Sequence, residues 1–376
     1  MFLSNSADLA AFCERAASCD IVAVDTEFIR ERTYWPRLCL VQLRSGDEIA
    51  LVDPIAIDDL GPLGELMGNE GVTKVFHSCS QDLEVLEHEL GVIPRPIFDT
   101  QIAAAFLGHR MQIGYGPLVE SVCGVSLGKA ESLTDWSKRP LDARQLSYAE
   151  DDVRYLPAVY RSLMQGLEER GRVSWALPEM DACCDPANFG HDPRAAYLKL
   201  KHVASLTRRQ LAICREVAAW REAKAAERDL VRKFVMRDEV VVEVAKRAPK
   251  SVEALRRIRG TEQLGEGDAR EVVEAVRVGV GSPADSVARP RRRSPLPADQ
   301  GGVVDLMSAL VRIVSEREGI ASSIVATHDD LVSLLAGDPG CRLREGWRKG
   351  LVGDLLGELL AGRIGLTVKD GKVEML

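Results

Sequence analysis

Two carboxylates one residue apart, Asp25 and Glu27, stand at the end of an apolar, β-branched run, Ile21-Val22-Ala23-Val24. Such a run reads as a buried strand. Strand side chains alternate between faces, so Asp25 and Glu27 point the same way. Like charges held side by side at the end of a buried strand are costly, and something must neutralise them or the strand end must lie in water. A third acid, Asp82, falls in the first turn of an amphipathic pattern that follows the strand-like Lys74–His77. Interaction with the helix macrodipole would account for it alone. A fourth, Asp152, lies four residues after Tyr148, so the two share one helical face beside a stripe of Val153, Leu156, Tyr160 and Leu163.

The elements that must position these groups read as mixed α/β over the first 175 residues. Candidate strands are Ile21–Glu27, Leu38–Arg44, Glu48–Val52 and Thr73–His77, with Ser45-Gly46-Asp47 as a hairpin turn. Helical patterns follow at about 59–67, 80–90, 99–107, 116–123 and 142–170, the last of which Pro157 should kink. Strands separated by helices predict a mixed sheet flanked by helices. Residues 176–204, with Pro178, Pro186, Asn188 and Gly190, read as a connection. A helical segment then opens with a capping box, Thr207-x-x-Gln210, and runs over 205–280. Residues 281–302 are rich in Pro, Gly and Ser and carry four arginines, the pattern of a flexible linker. Beyond them 303–376 is again helical, with a final hairpin around Lys369-Asp370-Gly371-Lys372.

With 376 residues, 46% hydrophobic and 28% charged, the chain has room for two or three domains of an ordinary globular protein. It contains no apolar run long enough for a membrane span and no secretion-signal pattern, so a cytoplasmic protein without membrane contact is expected. Nine cysteines without a C-x-x-C pair read as reduced thiols. The net charge of −8 conceals an asymmetry: Leu206–Gly260 holds fifteen Lys and Arg against eight Asp and Glu. A basic segment on an acidic chain fits either a polyanionic partner or a solvated helical surface.

Taken together, D-x-E on a first strand, an Asp opening a later helix and Y-x-x-x-D on a late helix resemble the three motifs of the DEDD exonuclease superfamily, in its tyrosine branch. "DTEFIRERTYWPRLCLVQ", "IFDTQIAA", "LTDWSKRPL" and "LSYAEDDVRYL" resemble ribonuclease D across the first 170 or so residues. The basic segment resembles the helicase-and-RNase-D C-terminal (HRDC) domain of that family, and 303–376 occupies the place of a second, degenerate one. The resemblance implies a ribonuclease H-like α/β exonuclease domain over 1–175, followed by all-α HRDC-type domains.

The resemblance further implies that Asp25, Glu27, Asp82 and Asp152 bind two divalent ions, Mg²⁺ or Mn²⁺, as suits hard oxygen donors. Tyr148 would orient or help deprotonate the attacking water. The expected activity is 3′→5′ exonucleolytic trimming of RNA with a free 3′-OH, tRNA precursors and other small RNAs among the substrates, by a monomer. Arg232, Lys233, Arg256 and Arg257 are the expected nucleic-acid contacts. A proofreading-type DNA exonuclease and a binding protein with a decayed site are the alternatives. Of the remaining residues, Asp99 reads as a helix cap or a substrate-side hydrogen bond. His77 is a substrate contact or a core histidine, and Glu31 remains open between a cap and a ligand. Trp136 and Arg139 read as buttresses of the site, and Asp151 as solvent-facing.

Overall fold

The computed structural model describes residues 1–31, 33–128, 134–190, 192–283, 287–289 and 300–376. It divides into two compact units, the first comprising Met1–Glu27, Leu38–Asn188 and Pro295–Leu376, the second Phe28–Arg37 and Phe189–Ser294.

The first unit is built on a six-stranded sheet of β1 (Phe2–Leu3), β2 (Ile21–Ile29), β3 (Arg37–Ser45), β4 (Glu48–Val52), β5 (Thr73–Phe76) and β6 (Ile97–Asp99), in the order β1-β4-β3-β2-β5-β6. β3 and β4 form the expected antiparallel hairpin, closed at Ser45 opposite Glu48 with Gly46 at φ 56°. β2, β5 and β6 are parallel neighbours. Val22, Ala23 and Val24 and the Leu38–Leu43 stretch are buried, as strands covered on both faces must be.

Around the sheet lie α1 (Ser6–Ala16), α2 (Gly61–Gly68), α3 (Ser80–Leu90), α4 (Thr100–Phe106), α5 (Tyr115–Cys123), α6 (Ala143–Arg154), α7 (Leu156–Glu169) and α8 (Val173–Asp181). The long pattern at 142–170 is two helices. The break falls at Tyr155, because Pro157 lacks the amide that would continue the first helix but suits the first turn of the second.

The second unit holds α9 (Arg208–Glu227), α10 (Arg232–Val235), α11 (Asp238–Arg247), α12 (Val252–Leu255) and α13 (Glu266–Gly281) around a core of its own, with Leu211, Val217, Met236, Val241, Leu255 and Val272 buried. The capping box of Thr207 and Gln210 is present. Residues 189–204 are more than a connection: they form short 3₁₀ turns whose Tyr197, Leu200 and Val203 are buried in that core. Most of the segment 281–302, with three of its four arginines, lies outside the described residues.

The C-terminal helices α14 (Gly301–Glu318), α15 (Ser322–Val325) and α16 (His328–Leu335), the helical stretch Gly346–Leu360 and the hairpin Leu366–Lys369 with Lys372–Met375 belong to the first unit. They dock through buried polar groups. Arg172, 5% exposed, donates to the carbonyls of Phe106, Gly319 and Glu318. The Ala321 amide donates to the Ala105 carbonyl at 2.8 Å. Arg348 forms a two-pronged bond with Glu179, and Trp347 stacks on Trp175 with its edge toward Phe106.

Candidate active site

β2 delivers Asp25 and Glu27 to one face of its end, and α6 delivers Asp152 opposite them. One carboxylate oxygen from each of the three lies within 4.8 Å of the other two. Asp82 arrives from the first turn of α3, is 7% exposed, and turns one oxygen to accept from the Thr26 hydroxyl at 2.5 Å. It stands beside the three rather than among them, yet its charge reaches Asp25, Glu27 and Asp152.

The electrostatics are those of acids crowded away from water. Burial, then the charges of Asp82, Asp152 and Glu27, holds Asp25 well above the ordinary carboxylate range. Burial pushes Glu27 up to about 8, with Asp152 and Asp82 adding to it. Asp82 and Asp152 are each raised to about 7, again by burial, against hydrogen bonds from Thr26 and Tyr148 that act the other way. The strongest charges acting on Asp25 are thus all carboxylates, and the buried Oδ2 of Asp152 has no hydrogen-bond partner. Hard, anionic, under-satisfied oxygens converging on one point fit a divalent cation.

Tyr148 lies one turn before Asp152 on α6, and burial and that neighbouring charge raise the phenol. Trp136, 2% exposed, packs at 6.1 Å between ring centroids behind it. Arg139 is tied to Asp53 and to the Cys39 carbonyl, so it holds the 134–142 segment to β3 and β4 and buttresses the site. A cavity of about 530 Å³ opens onto Tyr148 and Asp152 and is lined also by Tyr115, Pro117, Leu127 and Arg144.

Asp99 is a helix cap, and more. It accepts from the Gln101 and Ile102 amides of α4 and also from the amides of Ser78 and Cys79. Ser78 sits at φ 65°, uncommon for a residue with a Cβ, so Asp99 secures the tight turn from which α3 carries Asp82. Both ring nitrogens of His77 are engaged, by the Thr100 hydroxyl and the Ile113 carbonyl, which is the core-histidine arrangement. Asp151 pairs with Arg154 at the surface. The sequence analysis missed Tyr115, whose hydroxyl donates to the Asp151 carbonyl and whose ring lies 5.6 Å from His77. It missed Arg144 as well, the one cation lining the cavity among the described residues; its position one turn before Tyr148 on the same face was the available sign.

The four expected nucleic-acid contacts fare differently. Arg232 donates to Glu222 at 2.6 Å and lies over the Tyr34 ring. Arg256 reaches Glu266 and the Leu264 carbonyl, each at 3.4 Å. Lys233 lies over an exposed Phe234, and Arg257 is exposed. Much of the basic surplus is also matched at home: Arg228 pairs with Asp268 and Lys224 with Glu271, both acids on α13.

Residues 1–168 match the family model described as 3′-5′ exonuclease, and residues 210–266 match the HRDC domain. Ribonuclease D of Nitrobacter hamburgensis is 39% identical over 99% of this chain and 98% of its own length. That of Gluconacetobacter diazotrophicus is 37% identical over 100% and 96%. The crystal structure of Escherichia coli RNase D, described as an exoribonuclease involved in structured RNA processing, superimposes with a TM-score of 0.85 at 33% identity, covering 96% of this chain and 98% of that one. The chain belongs to the ribonuclease D family, enzymes that remove nucleotides from RNA in the 3′→5′ direction.

Proposed function

We propose that Asp25, Glu27, Asp82 and Asp152 hold two divalent cations, Mg²⁺ or Mn²⁺, and that the enzyme hydrolyses the terminal phosphodiester of RNA carrying a free 3′-OH. The observation that carries this is the cluster of part-buried carboxylates, raised by desolvation and mutual charge, with an unpartnered oxygen on Asp152. Cations bound there supply charge neutralisation for the acids and Lewis-acid stabilisation of an in-line displacement. Tyr148, kept protonated by burial and by Asp152, is a neutral hydroxyl that can accept from and orient the attacking water. The water oxygen bonds to phosphorus, the P–O3′ bond breaks, and a nucleoside 5′-monophosphate leaves behind a shortened chain with a new 3′-OH. Arg144, at the cavity lining, is placed to meet a backbone phosphate.

By relation to ribonuclease D, tRNA precursors and other small RNAs are the substrates, met in the cytoplasm by a monomer. Lys233 and Arg257 are the phosphate contacts we retain on the helical unit, since Arg232 and Arg256 are engaged within it. We read 303–376 as a second helical module of the same design as 205–280.

The test is release of 5′-mononucleotides from a 3′-OH oligoribonucleotide with Mg²⁺, with Mn²⁺ and with chelator. Asp25→Asn should abolish release, and Tyr148→Phe should lower kcat by roughly 10²-fold with KM little changed, as for a lost positioned proton-transfer group. A 3′-phosphate should block the reaction. Full turnover in chelator, or cutting of circular RNA as fast as linear, would count against it.

A further inference from the structure

The strand that carries Asp25 and Glu27 does not end with them. β2 continues to Ile29, and a loop then leads to β3 at Arg37. Residues Phe28–Arg37 group with Phe189–Ser294, so the continuation of the catalytic strand is part of the helical unit. Within that unit the loop is gripped at three points. The amides of Tyr34 and Trp35 both donate to one oxygen of Asp229, at 3.0 and 3.2 Å. The Tyr34 hydroxyl donates to Glu222 Oε2 at 3.0 Å, and Arg232 Nε donates to the same oxygen at 2.6 Å. The Arg232 guanidinium also covers the Tyr34 ring, 5.1 Å from its centroid.

These are built contacts. Glu222 is 3% exposed and is bonded on its other oxygen by the equally buried Arg221, which in turn holds Asp238 and the Met236 carbonyl. Asp229 occupies φ 47°, a left-handed conformation that costs a residue with a Cβ about 1 kcal/mol or more, and from there it caps the two loop amides.

The grip matters because of the sheet register. β5 pairs with β2 only at Ile21, Val22 and Ala23. Asp25 and Glu27 therefore run past the end of β5, and on that edge no β5 partner fixes their position. The carboxylate-bearing end of β2 thus keeps β3 as its sheet neighbour, and the loop that joins these two strands is the one whose amides Asp229 holds.

We propose that Asp229 and Glu222, with Arg232, are positioning residues for hydrolysis: by holding the 30–37 loop they hold the strand end that presents Asp25 and Glu27. The proposal rests on the exoribonuclease reading of those carboxylates. None of the three touches the reacting atoms; each acts through the loop. A misplacement on the order of 1 Å at a catalytic group costs about 10²-fold in rate, so a partly released loop is expected to be visible in kcat.

The experiment uses the full-length protein and a short single-stranded 3′-OH oligoribonucleotide. Asp229→Ala removes the acceptor, Asp229→Asn retains one oxygen and tolerates the left-handed backbone, and Tyr34→Phe removes a single hydroxyl. Asp229→Ala should lower kcat about tenfold and Tyr34→Phe about threefold, with KM unchanged and half-saturation by Mg²⁺ moved upward. Asp229→Asn should recover most of the loss. Should Asp229→Ala fail to fold, Tyr34→Phe carries the test alone. Wild-type kcat in both Asp229→Ala and Tyr34→Phe, a raised KM with kcat retained, or an Asn variant as slow as the Ala variant would overturn the proposal. A wild-type enzyme that releases no mononucleotides with any divalent metal would instead refute the exoribonuclease reading.

Discussion

The corners that follow α9 and α14 are built alike and used differently. In the first, α9 gives way to Asp229 at φ 47°, the Leu230 amide wraps back to the Ala225 carbonyl, and α10 follows from Arg232 to Val235. In the second, α14 gives way to Gly319 at φ 59°, the Ile320 amide wraps back to the Ser315 carbonyl, and α15 runs from Ser322 to Val325. Each pair of positions is ninety residues apart. The same corner therefore appears twice, and in both modules it takes hold of another part of its unit. The first corner offers an acidic side chain to loop amides. The second offers bare carbonyls, at Glu318 and Gly319, to the Arg172 guanidinium. A helix–corner–helix unit thus fixes where a contact is made, while one residue in the corner fixes what it binds. Glycine in the second allows the backbone itself to be approached.

The sharpest way to break the second corner is Arg172→Ala. Three carbonyls lose a buried charged donor, and we expect a loss of about 3 kcal/mol in chemical denaturation. Single-turnover activity of the folded fraction should stay near wild type. The first corner should show the reverse, a loss in turnover with little loss in stability.

Acidity should separate the units next. Asp25, Glu27, Asp82 and Asp152 all have folded values raised above their unfolded ones. The folded, metal-free protein therefore binds more protons than the unfolded chain between about pH 4 and 8, and its stability falls as pH rises through that window. In calorimetry with chelator, the transition containing the sheet and α14–α16 should drop by several degrees from pH 5 to 8. The α9–α13 transition, with its own core, should not follow. Asp25→Asn should flatten the dependence, and Mg²⁺ should reverse it at pH 8.

Gly108→Ala tests the backbone approach alone. Gly108 lies at φ 93°, and a Cβ there would stand 3.1 Å from the Gly319 carbonyl oxygen, so a loss of about 1–2 kcal/mol is expected. The smallest effect is Arg232→Lys. The charge remains beside Glu222, the planar cover on Tyr34 is lost, and we expect about 0.5 kcal/mol and a less than twofold change in kcat.

Much of this molecule could be read from its residues, and what could not has physical reasons. The four long strands announced themselves because buried strands are runs of branched apolar residues. The break at Tyr155 followed from Pro157. The terminal hairpin followed from Asp370-Gly371, both of which adopt positive φ. The strands Phe2–Leu3 and Ile97–Asp99 are too short to show a period, and α1 lies outside the expected elements although Leu9, Phe12, Cys13 and Ala16 repeat at helical spacing. Asp25, Glu27 and Asp152 meet as the resemblance to the exonuclease motifs implied. The orientation of Asp82 toward Thr26 did not follow, since a side-chain torsion leaves no trace in spacing. Nor could pairing of the basic segment with the acids of α13 be counted from the window Leu206–Gly260 alone.

The stack of Trp175 on Trp347, with Phe106 at its edge, has a consequence for the order of synthesis. The catalytic unit is closed by a segment that follows the whole helical unit in the chain. At about 5–20 residues per second, some 10–35 s separate the emergence of Trp175 from that of Trp347. Before that interval ends the helical unit has its full core, which reaches Val287, and can fold, whereas the ring face of Trp175 waits in water for a partner not yet made. A chain halted after Val287 has emerged and before Trp347 has leaves a folded helical unit attached to an open catalytic one, and that chain is the form a chaperone or protease would recognise.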